Sequence, residues 1–129
     1  INFALFDVRV HRRDGAGDDE LLSIMNVVRD GAAVIKQPKN NRFANTFSHI
    51  FAGGYASGYY SYKWAELLSA DAFSRFEKEG IFNPTTGQAF KSEILERGGE
   101  RPAKENFEAF MGRPADINAL LVQSGFMAK

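Results

Sequence analysis

The longest stretch of helical spacing in the sequence runs from residue 59 to residue 79, and it limits the folds open to the chain. Apolar residues recur there at intervals of three and four, first at Trp64, Leu67 and Leu68 and again at Phe73 and Phe76, which is the spacing of an α-helix. Gly80 follows at a position where glycine commonly ends a helix. The apolar side chains are Trp64, Leu67, Leu68, Phe73 and Phe76.

Shorter helical patterns fill most of the remaining sequence. Asn83-Pro84 is a typical helix start, with an N-cap residue followed by proline at the first helical position, and this helix is expected to bury Phe90, Ile94 and Leu95. Residues 1–12 fit a helical face and an alternating strand equally well. No stretch alternates convincingly, so we predict an all-α fold in a single unit, residues 1–129. The predicted helices lie at 19–34 and 84–96, and in shorter segments that begin at Pro102 and Pro114.

The charge and residue composition excludes several classes of protein. Lys and Arg together number 16 and so do Asp and Glu, which gives a net charge of zero. A nucleic-acid-binding protein depends on excess positive charge, so we predict no nucleic-acid partner. The sequence has no cysteine, which excludes disulfides and thiolate metal sites. Its apolar stretches are far shorter than the roughly 20 residues that a membrane helix needs, so we predict no membrane partner.

The most unusual feature is a glycine- and tyrosine-rich stretch at residues 47–62, which we name the Gly–Tyr segment. All four tyrosines of the chain fall within its last eight residues. Gly53, Gly54 and Gly58 lack side chains, so the backbone can bend sharply there or let a peptide ligand approach closely. These properties are compatible with a peptide-binding loop.

The tyrosine spacing leaves two interpretations open. Tyr55, Tyr59 and Tyr62 are spaced i, i+4, i+7 and would share one face of a helix. Phenol hydroxyls are neutral donors at pH 7 and can stabilise an oxyanion, and His49 can donate or carry a proton near neutral pH. The alternative is a packing role, in which a glycine-rich corner lies beside a helix and the tyrosines are half-buried. Spacing alone favours the packing role.

The run Phe47–Glu66 resembles the thimet oligopeptidase-type zinc metallopeptidase family through its pattern His–x–x–x–Gly–Gly–Tyr–x–x–x–Tyr–Tyr–x–Tyr. The likeness continues through Leu67–Phe76, Glu79–Asn83 and Arg97–Gly99, and it is looser over residues 1–41. Because the pattern is long and rich in uncommon residues, the likeness is specific.

The resemblance implies a mostly helical peptidase with a deep cleft, which hydrolyses short peptides in the cytoplasm. In that family a His-Glu-x-x-His helix and a further Glu hold zinc, and zinc and the motif Glu activate the attacking water. By this resemblance Tyr62 and His49 are the catalytic candidates, and Tyr62 stabilises the oxyanion. The residues expected to bind the peptide are His49, Gly53, Gly54, Tyr55, Tyr59 and Tyr62.

One departure from the family pattern limits this expectation, because the sequence contains no His-Glu-x-x-His. Its only histidines are His11 and His49, and neither is followed by Glu. We therefore expect the zinc ligands to lie upstream of this chain, no metal site within it, and no hydrolysis by the chain alone. Glu66 is expected to be exposed or part of a cleft wall rather than a ligand.

The first residue, Ile1, begins in the middle of an apolar pattern, which suggests a C-terminal fragment as readily as a trimmed start. A fragment would pack against the remainder of the catalytic domain, and its uncovered apolar faces would favour self-association. The alternative function is a stand-alone helical module that binds a peptide or a partner without catalysis.

Overall fold

The computed structural model describes residues 1–12, 14–15, 17–38 and 40–128, and regular structure within these ranges is helical throughout. The all-α prediction is confirmed. Within the same ranges, no helix is long and apolar enough to cross a membrane. The helices are α1 (Asn2–Val10), α2 (Asp18–Ala32), α3 (Phe43–Thr46), α4 (Ser48–Phe51), α5 (Ser61–Glu79), α6 (Pro84–Phe90), α7 (Ala103–Met111) and α8 (Asn118–Gln123), with a π-helical segment at Lys91–Leu95.

Packing contacts divide the chain into two compact units, Ile1–Tyr62 and Lys63–Lys129. In the first unit α1 packs on α2, and α2 packs on α3. In the second unit the π-helical segment packs on α6 and α7. The whole Gly–Tyr segment lies within the first unit.

The core of the first unit resolves the ambiguity at residues 1–12 in favour of a helix. Phe6, Asp7 and Val10 are all buried, and their spacing is that of one helical face. A strand would instead place Phe6 and Asp7 on opposite faces. The buried core residues are Phe6, Val10, Met25, Ala44, Phe47 and Ile50, and the partly buried Leu21, Ile24, Phe43 and Tyr59 pack against them.

In the second unit, aromatic rings from three helices meet. Phe90 of α6 packs edge-on against Phe110 of α7, with ring centroids 5.4 Å apart. Phe76 of α5 packs edge-on against Phe90 at 5.8 Å. The guanidinium of Arg75 lies over the Phe110 ring, 4.8 Å from its centroid. Contacts of this kind stabilise a fold by about 0.5–1.5 kcal/mol each beyond the burial of area, so these rings fix how α5, α6 and α7 pack.

The predicted start of α6 is confirmed in detail. The Asn83 side chain accepts hydrogen bonds from the backbone N–H groups of Thr85 and Thr86, at 2.9 and 3.4 Å, and Pro84 is the first helical residue. These bonds satisfy donors that have no partner within the helix.

The predicted course of the helix over 84–96 is only partly correct. Regular α-helix ends at Phe90, and the π-helical segment follows it. A π turn adds a residue to the repeat and rotates the side chains that follow, which accounts for Leu95 being 64% exposed rather than buried. Two residues of the predicted apolar side of α5 also remain exposed, namely Trp64 and Phe73.

Helix α8 begins at Asn118 rather than at the predicted Pro114, and the reason is a buried carboxylate on α5. Asp71 is 1% exposed. It accepts hydrogen bonds from the guanidinium of Arg113, at 2.8 Å to Oδ2, and from the backbone N–H of Asp116 at 2.7 Å. The Asp116 side chain in turn accepts from the N–H of Asn118. The chain before α8 is therefore held by Asp71 in a non-helical course.

The pKa of Asp71 lies below its ordinary value of 3.8. Burial by itself raises that pKa, but the hydrogen bonds from Arg113, Asp116 and Ser74 and the charge of Arg113 together outweigh burial. A carboxylate with a lowered folded-state pKa stabilises the fold fully above its unfolded pKa. That contribution is lost as the pH falls below about 3.8 towards the folded-state pKa.

We predict that Asp71→Asn lowers the free energy of unfolding by about 2 kcal/mol at pH 7. The value is below the roughly 3–5 kcal/mol of a broken, fully buried pair because the Arg113 side chain is 38% exposed. Urea unfolding followed by circular dichroism measures the free energy of unfolding of both proteins. The difference between the wild type and Asp71→Asn should be smaller at pH 3 than at pH 7. Glu66→Gln is the control, because the pair of Glu66 with Lys63 is exposed and its loss should cost less than about 1 kcal/mol. Equal effects of the two variants would contradict the prediction.

Candidate functional site

The Gly–Tyr segment passes from α4 into α5 through a series of hydrogen-bonded turns. The backbone N–H of Tyr55 donates to the carbonyl of His49 at 3.1 Å, and the N–H of Gly58 donates to the carbonyl of Tyr55 at 2.8 Å. Ser57 has a φ of 55°, which is unusual for a residue other than glycine. The segment is therefore not a continuous helix, and the predicted shared helical face of Tyr55, Tyr59 and Tyr62 does not form as such.

The rings of the predicted site residues nevertheless converge. Tyr55 stacks on Tyr62 with centroids 5.3 Å apart and planes inclined by 24°, and Tyr59 lies 5.0 Å from Tyr62. His49 lies 6.2 Å from Tyr55 and 6.1 Å from Tyr59. We call these four side chains the aromatic cluster. The turns thus bring the rings of Tyr55, Tyr59 and Tyr62 together, as a helix was expected to do.

Exposure differs within the aromatic cluster. Tyr55 and Tyr62 are 37% and 42% exposed, and His49 is exposed as well. Tyr59 is half-buried, and its ring packs edge-on against the core residue Phe47 at 5.0 Å. The cluster therefore has a packed base and an accessible outer surface where a ligand can reach the hydroxyl groups.

The hydroxyl of Tyr62 is a neutral hydrogen-bond donor. Its pKa lies above the ordinary value of 10.0, chiefly because of a hydrogen bond with Tyr55. Desolvation and the neighbouring Tyr55 and Tyr59 raise the pKa further. Since a phenol keeps its proton at neutral pH, the Tyr62 hydroxyl can donate that one proton either to Tyr55 or to an oxygen on which negative charge develops.

The two adjacent glycines meet different backbone requirements. A Cβ at Gly53 would lie 2.8 Å from the carbonyl oxygen of His49 and 3.0 Å from its Cα, closer than real Cβ atoms approach. Gly54 has a φ of 77°, a conformation that side chains disfavour. The turn after α4 therefore requires glycine at both positions, whatever ligand it meets.

A residue that the sequence pattern did not single out holds this turn in place. Asp7 of α1 is 0% exposed. Its Oδ1 accepts the backbone N–H of Ser57 at 2.8 Å, and its Oδ2 accepts the N–H of Tyr59 at 2.9 Å. The Nδ1 atom of His11 lies 2.8 Å from Oδ1. The one available signal was a charged residue between Phe6 and Val8 in an apolar run, because a buried charge needs partners.

The described residues contain no group of three or more His, Cys, Asp or Glu side chains that could hold a metal ion. Glu66, the acidic residue of the predicted cleft wall, pairs with Lys63, and its side chain is 51% exposed. Hydrogen-bond donors and aromatic surface are therefore the chemical groups that the aromatic cluster offers to a ligand.

Residues 1–126 match the sequence model of peptidase family M3. The chain belongs to peptidase family M3. This confirms the family that the Gly–Tyr segment indicated.

Several curated proteins are similar to this family M3 chain. Oligopeptidase A of Haemophilus influenzae is 51% identical over 128 residues, which make up 98% of this chain and 19% of that protein. Oligopeptidase A of Escherichia coli is 48% identical over 127 residues, 97% of this chain and 18% of that protein. A probable cytosolic oligopeptidase A of Arabidopsis thaliana is 42% identical over 133 residues, 99% of this chain and 19% of that protein. The family M3 chain thus spans about a fifth of the length of these relatives.

We predict that Gly53→Ala lowers the free energy of unfolding by about 1–3 kcal/mol, because the new Cβ collides with the backbone of His49. Gly31→Ala in α2 is the matched control. No described atom lies within 4 Å of a Cβ built there, and alanine favours helix over glycine by up to about 1 kcal/mol. Urea unfolding should therefore give opposite signs for the two variants of this family M3 chain. A Gly53→Ala variant as stable as the wild type would contradict the geometry of the turn.

Proposed function

We propose that this chain is part of a zinc-dependent oligopeptidase, in which the aromatic cluster forms part of the wall that binds a short peptide. The observation that supports this most is the convergence of His49, Tyr55, Tyr59 and Tyr62 at an accessible surface. The family match and the three oligopeptidase A relatives agree with a peptide substrate. The substrates and the activity belong to the whole protein.

Each member of the aromatic cluster has a role that suits its geometry. Tyr62 donates to the oxyanion that forms when the peptide carbonyl is attacked, because its hydroxyl is exposed and a phenol keeps its proton at neutral pH. Tyr55 stacks on Tyr62 and supports its ring. His49 and Tyr59 contact the peptide beside them. Gly53 and Gly54 let the peptide backbone pass close to the turn.

The zinc site is proposed to lie outside this chain. A bound zinc ion would polarise the scissile carbonyl and lower the pKa of an attacking water. Its ligands are proposed to lie upstream, in a His-Glu-x-x-His helix and a further Glu. The residues of this chain then orient the peptide and stabilise the charge that develops, and the enzyme acts on short peptides in the cytoplasm.

The exposed apolar residues of α1 support packing against the remainder of the catalytic domain. Ile1, Leu5 and Val8 lie at helical spacing on one side of α1 and are 80%, 40% and 38% exposed. A contiguous apolar face of this kind is normally covered. On its own, the chain is proposed to cover that face by self-association, which light scattering over a range of concentrations would detect as a rising mass.

We predict that Tyr62→Phe in the full-length peptidase lowers kcat by about 10²–10³, the effect of a lost oxyanion donor. KM should change little, because the hydroxyl acts mainly in the transition state. Steady-state hydrolysis of a fluorogenic peptide measures both. Tyr60→Phe is the matched control, since Tyr60 is 57% exposed and its hydroxyl is assigned no role. An unchanged kcat in Tyr62→Phe would refute the role of Tyr62 as the oxyanion donor.

We also predict that the purified 129-residue chain hydrolyses no peptide and retains no stoichiometric zinc after dialysis. The zinc ligands and the motif Glu are proposed to lie outside it. Atomic absorption and a peptidase assay on the same sample test this together. One zinc per chain with turnover that a chelator abolishes would contradict the proposed division of the site.

A further inference from the structure

We propose that Asp7 is a positioning residue for catalysis, because its buried carboxylate holds the turn that presents Tyr59 and Tyr62 to the substrate. The inference rests on the proposed function, and it adds a residue outside the Gly–Tyr segment, on α1. Its basis is the juxtaposition of a fully buried carboxylate with two backbone N–H groups of the turn, 50 and 52 residues further along the chain.

The two hydrogen bonds to Asp7 come from one short stretch of the turn. The N–H groups of Ser57 and Tyr59 lie on either side of Gly58 and donate to different oxygens of one carboxylate, at 2.8 and 2.9 Å. The backbone from 57 to 59 is therefore held around a single side chain. Ser57, with its φ of 55°, sits in a conformation that persists only where its surroundings impose it.

Only a carboxylate can accept both backbone N–H groups in this arrangement. Two backbone N–H groups donate to it, one to each oxygen, while the Nδ1 atom of His11 lies 2.8 Å from Oδ1 and 2.9 Å from the backbone carbonyl oxygen of Asp7. A carboxylate has two acceptor oxygens, whereas an asparagine amide has one oxygen and one NH₂ group. In Asp7→Asn the NH₂ group would therefore face an N–H donor, whichever way the amide is turned.

Tyr59 connects the turn to the other side chains of the aromatic cluster. The Tyr59 ring lies 5.0 Å from Tyr62 and 6.1 Å from His49, and Tyr62 stacks on Tyr55 with ring centroids 5.3 Å apart. A shift of the backbone at residue 59 therefore moves the donor that is aimed at the oxyanion. Misplacement by about 1 Å can lower a rate by about 10²-fold even when the substituted residue lies away from the chemistry.

The test compares Asp7→Asn with Asp71→Asn in the full-length peptidase. Both remove the charge of a buried carboxylate that accepts backbone N–H groups, but Asp71 holds the segment before α8 and not the Gly–Tyr segment. Both are assayed at a temperature where circular dichroism shows the protein folded, with kcat referred to bound zinc. We expect Asp7→Asn to lower kcat by about 10-fold to 100-fold, and Asp71→Asn to leave kcat within about twofold of the wild type. Equal losses in both variants, or no loss in Asp7→Asn, would overturn the proposal.

A second measurement keeps the proposal testable if Asp7→Asn is too unstable to assay. Asp7→Asn is then compared with the wild type at a lower temperature by hydrogen–deuterium exchange, which needs folded protein but no activity and follows the peptide that spans residues 55–62. Faster exchange of this peptide than in the wild type, with exchange of α7 unchanged, supports the role of Asp7. Unchanged exchange across residues 55–62 overturns it. A wild-type enzyme that hydrolyses no peptide would instead refute the proposed function, while the exchange result would still report on Asp7.

Discussion

The geometry of the aromatic cluster depends on one electrostatic constraint, the acceptance of two backbone N–H groups of the turn by the buried carboxylate of Asp7. A charged group without solvent is costly unless donors surround it. The turn has the complementary need, because backbone N–H groups outside a helix lack regular carbonyl partners. The turn supplies the donors for the carboxylate, and the carboxylate supplies the acceptors for the turn. These hydrogen bonds fix residues 57–59 relative to α1. The second unit uses the same chemistry, since Asp71 accepts the N–H of Asp116 ahead of α8.

The tyrosines of the aromatic cluster differ in their packing, and only one of them fits the packing interpretation of the sequence. Tyr59 is half-buried against Phe47 and is part of the support. Tyr55 and Tyr62 stack on each other at the surface, 37% and 42% exposed. A donor held on a packed base loses little freedom when it meets a ligand, which is the requirement for stabilising charge in a transition state. The half-buried Tyr59 ring thus anchors the exposed Tyr62 ring that lies beside it.

The sequence predicted the features that are local and missed those that depend on distant partners. Helical spacing and the N-cap at Asn83 involve residues within a turn or two of each other, so periodicity and capping rules find them. The π-helical segment that exposes Leu95 has no such periodic signal. The partners of Asp7 and Asp71 lie more than 40 residues away along the chain, and no spacing rule connects them. The glycine at position 53 was noted for its flexibility, but its requirement comes from a close backbone contact that only the folded turn creates.

The central claim is that the aromatic cluster faces the scissile peptide and that Tyr62 donates to the developing oxyanion. A crystal structure of the full-length enzyme with a phosphinic peptide inhibitor tests this directly, because the phosphinyl group imitates the tetrahedral transition state that an enzyme binds most tightly. The account predicts the Tyr62 hydroxyl within roughly 2.5–3.0 Å of a phosphinyl oxygen, with Asp7 still bonded to the turn. A Tyr62 hydroxyl directed away from the inhibitor, with another side chain donating to that oxygen, would contradict it.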